Sequence, residues 1–164
     1  MQYLHRPDGL SVTKISEKFF GGAVTDRWIC PRTDCAYLAV RLVLGSGIGM
    51  QVGVTALEPK YDNIAMCIDE RSWAYDCYDS SARPSHQQWD VPANKRQRRP
   101  GDLIGLLVLD SRLYVFVNNE PLSRRPVAAG LPERVLFWVE CYCNDQCFKI
   151  EPEARLPDFA SLEL

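Results

Sequence analysis

The sequence predicts an all-β domain: a two-sheet antiparallel sandwich with little helix. No stretch sustains the three-to-four-residue recurrence of apolar side chains that a helix requires. Several short segments instead alternate with a period of two, and Gly, Pro, Asn and Asp punctuate the intervals between them. Two stacked sheets would bury one parity of each strand in a shared interior and leave the turns at the ends.

Along the chain, Phe19-Phe20-Gly21-Gly22 reads as a strand end and turn, and Trp28-Ile29-Cys30 as a short apolar piece. AYLAVRLVL (36–44) places Leu38, Val40, Leu42 and Leu44 on one face and Tyr37, Ala39, Arg41 and Val43 on the other, so the first set is expected to face the core. GSGIG (45–49) is a turn. Its glycine spacing fits neither dinucleotide nor phosphate-loop patterns, and no helix pattern follows. MQVGVTAL then sets Met50, Val52, Val54 and Ala56 against Gln51, Gly53 and Thr55, completing a hairpin.

From Pro59 to Pro100 the chain is polar, with apolar pieces only at Ile64–Ile68 and Trp73–Tyr78. Part of it must still pair as strands, because loops alone would leave backbone groups unsatisfied. LIGLLVL (103–109) and RLYVFV (112–117) flank Asp110-Ser111 and are apolar on both parities. They are expected to be adjacent strands with one face on the opposing sheet and the other covered by loops or termini. In the next strand Val135, Phe137, Val139 and Cys141 alternate with Leu136, Trp138, Glu140 and Tyr142, and CFKIEP (147–152) adds a short last strand. The tail, FASLEL after Pro157, reads as one helical turn or a frayed end.

Length and composition bound the class. A chain of 164 residues is expected to form one domain, spanning 1–164, and to bury roughly two-thirds of the surface its unfolded form exposes. A net charge of −2 supplies no global field for nucleic acid or acidic lipid. No apolar run approaches the ~20 residues of a membrane span, and the first residues, with His5, Arg6, Asp8 and Lys14, lack a signal-peptide core. The seven cysteines are an odd number and no Asn-x-Ser/Thr acceptor occurs, so an intracellular, cytoplasmic chain with reduced thiols is expected. The basic run Lys95–Arg99 is compatible with nuclear entry, but reads more simply as a solvated loop.

Five segments in order resemble the SPRY domain and its relative, the Neuralized homology repeat. They are Gln51-Val52-Gly53-Val54-Thr55 followed by Pro59; Ser72-Trp73-Ala74-Tyr75-Asp76; Gly101-Asp102-Leu103-Ile104-Gly105; Leu113-Tyr114-Val115-Phe116-Val117-Asn118, with Asn119 where Gly is common; and LPERVLFWVECYC. The resemblance covers roughly residues 36–150 and leaves 1–20 and 153–164 peripheral. Glu140-Cys141-Tyr142-Cys143 replaces the usual Neuralized turn, whereas the segment around Ser72-Trp73 looks more like SPRY. The resemblance implies a non-catalytic recognition module in which loops at one end of a rigid sandwich bind a peptide or a folded partner, often as the substrate adaptor of a ubiquitin ligase.

On that basis the candidate partner-binding residues are Tyr78, Arg83, His86 and Trp89 in the polar segment, with Tyr142, Asn144 and Asp145 at the last turn. Aromatic side chains would bury area, and the polar groups would fix the register of the bound chain. Trp73, in a strand motif, reads as packing. The alternatives are a structural subunit of a larger assembly and, by fold analogy alone, a carbohydrate-binding domain.

Metal and catalytic chemistry find weaker footing. Cys30-x4-Cys35 and Cys141-x-Cys143-x3-Cys147 have gaps that zinc sites use, but no histidine lies near them, so both sets read as buried small hydrophobes. No metal and no cofactor is expected. His5 and His86 are the only imidazoles, no nucleophile-elbow or metalloprotease motif occurs, and nothing marks Cys77 with His86 as a dyad. Without stacking aromatics beside a basic stripe, nucleic-acid recognition is not expected, nor is a small-molecule substrate.

Overall fold

The computed structural model describes residues 3–5, 11–14, 21–44, 49–57, 71–77, 82–83, 97–142 and 146–163, and among these there is no helix. The strands are β1 (Tyr3–His5), β2 (Ser11–Lys14), β3 (Gly21–Val24), β4 (Ala36–Leu44), β5 (Met50–Thr55), β6 (Ser72–Asp76) and β7 (Ala82–Arg83). They continue as β8 (Leu103–Leu109), β9 (Arg112–Val117), β10 (Glu120–Pro121), β11 (Ala128–Ala129), β12 (Leu136–Cys141) and β13 (Cys147–Ile150). The larger sheet runs β1-β2-β13-β4-β8-β9-β10, with β11 also on β9, and the smaller runs β3-β12-β5-β6-β7. The predicted antiparallel sandwich is therefore the observed architecture.

Strand parity explains the core between the sheets. Val40 and Leu42 of β4, Ile104, Leu106 and Val108 of β8, and Leu113 and Val115 of β9 meet Met50, Val52 and Val54 of β5, Tyr75 of β6, and Phe137, Val139 and Cys141 of β12. For β4 this is the parity that alternation assigned to the interior, whereas β8 and β9, apolar on both parities, are oriented only by the fold. Trp73 packs against the same cluster, in line with its reading as a packing residue.

The β8–β9 hairpin turns through Asp110 and Ser111, both left-handed at φ 53° and 57°, between the paired Leu109 and Arg112. This is the two-residue turn whose twist matches that of its strands. Asn118 and Asn119, at φ 53° and 69°, make the same turn into β10, and asparagine tolerates that backbone better than most residues.

The other face of this hairpin is covered by the C-terminal tail. Leu107, Tyr114 and Phe116 form a second cluster with Leu162, joined by Tyr37, Leu109 and Phe159. The tail is neither a helical turn nor frayed. The Leu162 amide donates to the Phe159 carbonyl, the Glu163 amide to the Arg124 carbonyl, and the Tyr114 hydroxyl to the Glu163 carbonyl at 2.7 Å. Burying Phe159 and Leu162 against a sheet outweighs the few tenths of a kcal/mol that helix propensity offers over so short a segment.

Two further expectations change. Gly21-Gly22 lies within β3, opposite Cys141 and Glu140, and is not a turn. Glycine is acceptable there because β3 is an edge strand that takes its register from β12. The polar parity of β5 also proves buried, since Gln51 and Thr55 are both enclosed with Ser72, Asp76 and Glu140. Pairing makes this tolerable: Thr55 and Ser72 share a hydroxyl bond of 2.8 Å, and Gln51 Nε2 donates to Asp76 Oδ2 at 3.1 Å. The apolar piece Ile64–Ile68 lies outside the described residues.

Gly105 shows how tightly the outer layer is set. A Cβ there would run into the Tyr37 hydroxyl and ring, and that ring in turn meets Phe116 edge-on at 6.4 Å. Gly105→Ala should therefore cost about 1–3 kcal/mol in urea denaturation through overpacking. Among the described residues the buried Tyr37 hydroxyl has no hydrogen-bond partner. Tyr37→Phe is expected to leave stability unchanged or to raise it by up to ~1 kcal/mol, because it removes an unsatisfied polar group and keeps the ring; a loss of more than ~1 kcal/mol would show that the hydroxyl has a partner.

Candidate functional site

The chain ends of both sheets converge on one rim of the sandwich. Met50 opposes Cys141, Cys147 opposes Leu44, and the Cys77 amide donates to the Met50 carbonyl. The β4–β5 connection, the exit from β6, the approach to β8, the Asn118-Asn119 turn and the β12–β13 connection therefore share this end.

Hydrogen bonds from the core outward fix its backbone. The Arg98 amide donates to the Cys77 carbonyl, the Gly101 amide to the Leu42 carbonyl and the Leu42 amide to the Asp102 carbonyl. Asp102 accepts from the Arg99 amide through Oδ2 and from Asn118 Nδ2 through Oδ1, while Asn118 Oδ1 takes the Leu103 amide at 2.9 Å. Arg41 spans the larger sheet, its Nη1 on the Gly101 carbonyl and its Nε on Glu151 Oε1 at 2.7 Å.

Arg98 changes the reading of the basic run as a solvated loop. Only 8% of it is exposed, its Nε donates to the Tyr75 hydroxyl at 2.7 Å, and its guanidinium lies 5.9 Å from the centre of that ring. A tyrosine wholly inside the core needs a partner for its hydroxyl, and the long apolar stem of arginine lets the charged group reach it. Arg99 is exposed, whereas Lys95 and Arg96 lie outside the described residues.

Of the predicted binding residues, Tyr142 stands on this rim with 36% of its surface exposed. Its amide donates to Oε1 of the buried Gln146 at 2.9 Å. Its side chain lies so close to Gly49, which is left-handed at φ +64°, that a Cβ on the glycine would collide with the Tyr142 Cβ. Glycine thus serves both the turn into β5 and the seating of the aromatic ring. Arg83 falls on β7 opposite Ala74, on the edge strand of the smaller sheet rather than at the rim. Tyr78, His86, Trp89, Asn144 and Asp145 lie outside the described residues, although Cys77 and Gln146, the sequence neighbours of Tyr78 and Asp145, sit at the rim.

The sequence reading did not single out Val43, which is 38% exposed near the end of β4 at this rim. Its parity, opposite to Leu42 and Leu44, was the available signal. At the far end of the sandwich a cleft of about 320 Å³ is lined by Arg32, Thr33, Asp34, Cys35, Leu109 and Asp110. That end also carries the guanidinium of Arg134, 4.8 Å from the ring centre of Trp28.

The cysteines divide. Cys141 and Cys147 are buried as expected, but Cys30 and Cys35 are exposed. They bracket a tight turn in which the Thr33 and Asp34 amides donate to the Cys30 carbonyl and the Asp34 carboxylate takes the Cys30 amide, so the backbone rather than the thiols is satisfied. Cys143 lies outside the described residues. Among the described residues no group of three metal-ligating side chains gathers. Cys77 is buried in the core, and burial, reinforced by Asp76, pushes its thiol well above the ordinary range. That direction is opposite to the activation a nucleophile needs.

No protein-family model and no curated protein matches the sequence. Solved structures do match. The SPRY domain of human HERC1 overlays with a TM-score of 0.66 at 17% identity, covering 93% of this chain and 94% of that one. A second human SPRY domain gives 0.65 at 18%, covering 95% and 100%. The fold is the SPRY fold. The Neuralized homology repeat of Drosophila melanogaster Neuralized shares it more distantly, with a TM-score of 0.54 at 15% identity over 92% of this chain and 84% of that one. The two SPRY overlays cover more of the chain than residues 36–150 alone.

In the folded chain iodoacetamide at pH 8 is expected to label Cys30 and Cys35 and to spare Cys77, as read by peptide mass mapping. Because the buried Cys77 thiol keeps its proton while an unfolded thiol loses it above a pH of about 8.5, stability should fall as pH rises past that value. The decline should be shallower in Cys77→Val; an unchanged slope would show that Cys77 titrates normally.

Proposed function

We propose that this SPRY-fold chain is a non-catalytic protein-interaction module that captures a peptide or a folded partner at the rim carrying Tyr142. The observation that carries the reading is the construction of that rim: separate chain segments fixed by bonds to the core, with Tyr142 and Val43 left exposed at their ends. A surface held in place before binding loses less conformational entropy when a partner docks. Aromatic and aliphatic side chains on it supply buried area, and the adjacent polar backbone and side chains supply register. Trp89, His86, Tyr78, Asn144 and Asp145 extend the proposed contact surface, and Arg83 marks its flank along β7. A role as the substrate-recognition part of a ubiquitin ligase, within the cell, is the finer form of the proposal and rests on the family resemblance.

The test is affinity capture from native lysate followed by quantitative binding of the captured partner. Tyr142→Ala and Trp89→Ala should each weaken binding by roughly tenfold or more, the loss expected of an interface hot spot, with the melting temperature nearly unchanged. Arg32→Ala, at the opposite end, should leave binding intact. If Tyr142→Ala and Trp89→Ala unfold the domain, those positions are core; if only the far-end variant loses the partner, the site lies at the other end.

A further inference from the structure

The outer face of the larger sheet is an apolar groove already filled by a peptide, the chain's own tail. Leu107, Tyr114 and Phe116 form its floor and Tyr37 and Leu109 its sides, with Phe159 and Leu162 inserted between them. Bonds among the described residues fasten the segment near Glu163. The Tyr114 hydroxyl donates to the Glu163 carbonyl, the Glu163 amide to the Arg124 carbonyl, and Arg125 Nε meets Glu163 Oε2 at 3.3 Å with both side chains 61% exposed.

Glu151 is the last residue tied to the sheet before this anchor, its amide on the Ala39 carbonyl, and no described residue from Pro152 on lies in a strand. Pro152 and Pro157 interrupt it, and Leu156 is exposed. The Asp158 carboxylate takes the Ala160 amide within the segment itself, so its bend is set locally rather than by the sheet. Elements of this kind, fixed by a few inserted side chains and little backbone pairing, occupy the low-stability end of a structure.

From this we propose that residues 157–163 are a displaceable strap, and that the face beneath is a docking groove for a segment of another protein with the same chemistry. That segment carries an aromatic residue, two intervening residues, a leucine and then an acidic residue. The aromatic and leucine side chains fill the positions of Phe159 and Leu162. Tyr114 takes the backbone carbonyl after the leucine, and Arg125 selects the acid. This surface is distinct from the Tyr142 rim.

The probe is a fluorescein-labelled synthetic peptide of residues 156–163, titrated by anisotropy into the full chain and into a full-length Phe159→Ser, Leu162→Ser variant whose own tail cannot fill the groove. In the unaltered chain the attached strap competes at an effective concentration on the order of millimolar, so the variant should bind the probe at least roughly tenfold more tightly. A probe carrying the same two serines should not bind, Arg125→Glu in the released variant should weaken binding of the intact probe, and Tyr142→Ala in the released variant should leave uptake of this probe unaltered. Equal binding to both chains, or no binding to a released variant that keeps its circular dichroism, would overturn the proposal. Unfolding of the released variant would overturn it too, by making the tail inseparable from the core. Dimerisation of that variant in sedimentation, in place of probe uptake, would assign the groove to a second copy and contradict it.

Discussion

The structure depends on the β8–β9 hairpin, which is covered on both faces. Leu103 to Val108 and Leu113 to Phe116 are buried without interruption, which a strand exposed on one side cannot achieve. The sandwich partner supplies one cover and the tail from Glu151 to Glu163 the other. Each cover recruits its own residues: the even positions of β8 meet the smaller sheet, and Leu107 meets Leu162. Because strand side chains alternate strictly, a slip of the hairpin by one residue would exchange the two sets and part Gly105 from Tyr37 on β4. The left-handed Asp110-Ser111 turn and the β4 pairing hold that register.

From this hairpin the rim inherits its rigidity. β8 begins at Leu103, whose amide is capped by Asn118, and Asn118 is held in turn by Asp102. The chain entering β8 is pinned one step earlier by Arg98 on the buried Tyr75 of β6 in the smaller sheet. A loop region that looks polar and loose in sequence is thus tied to the interiors of both sheets, and Tyr142, seated on Gly49, completes the same end. The recognition role proposed for this rim would need no chemistry of its own. It needs fixed positions, and the core supplies them.

Much of this was legible in the sequence because alternation reports burial directly. Val40, Leu42, Val52, Val54, Phe137 and Val139 face the interior as their parity demanded, and the double-sided apolar hairpin announced a second cover. Parity could not say what that cover was, since FASLEL carries no periodic signal of its own. Nor could polarity reveal the burial of Gln51, Thr55 and Glu140, because that depends on cross-strand partners far apart in sequence, such as Thr55 with Ser72. Arg98 was misread for a related reason: in a run of cations only the tertiary position of the Tyr75 hydroxyl singles it out. Of the residues proposed for binding, Tyr142 is the aromatic that follows an alternating strand, and its place at the rim was legible from that. Val43 passed as an ordinary outward position, and the separation of Arg83 from the rim follows from a β6–β7 pairing that two residues, Ala82-Arg83, do not signal.

Native-state hydrogen exchange tests the central role of the hairpin most directly. The amides of Leu106, Leu107, Tyr114 and Val115 should exchange only through global unfolding, with protection matching the full unfolding free energy and unaffected by local openings at the rim. Exchange of these amides through a sub-global opening, while β5 and β12 stay protected, would show that the sandwich holds together without the hairpin and would contradict the account.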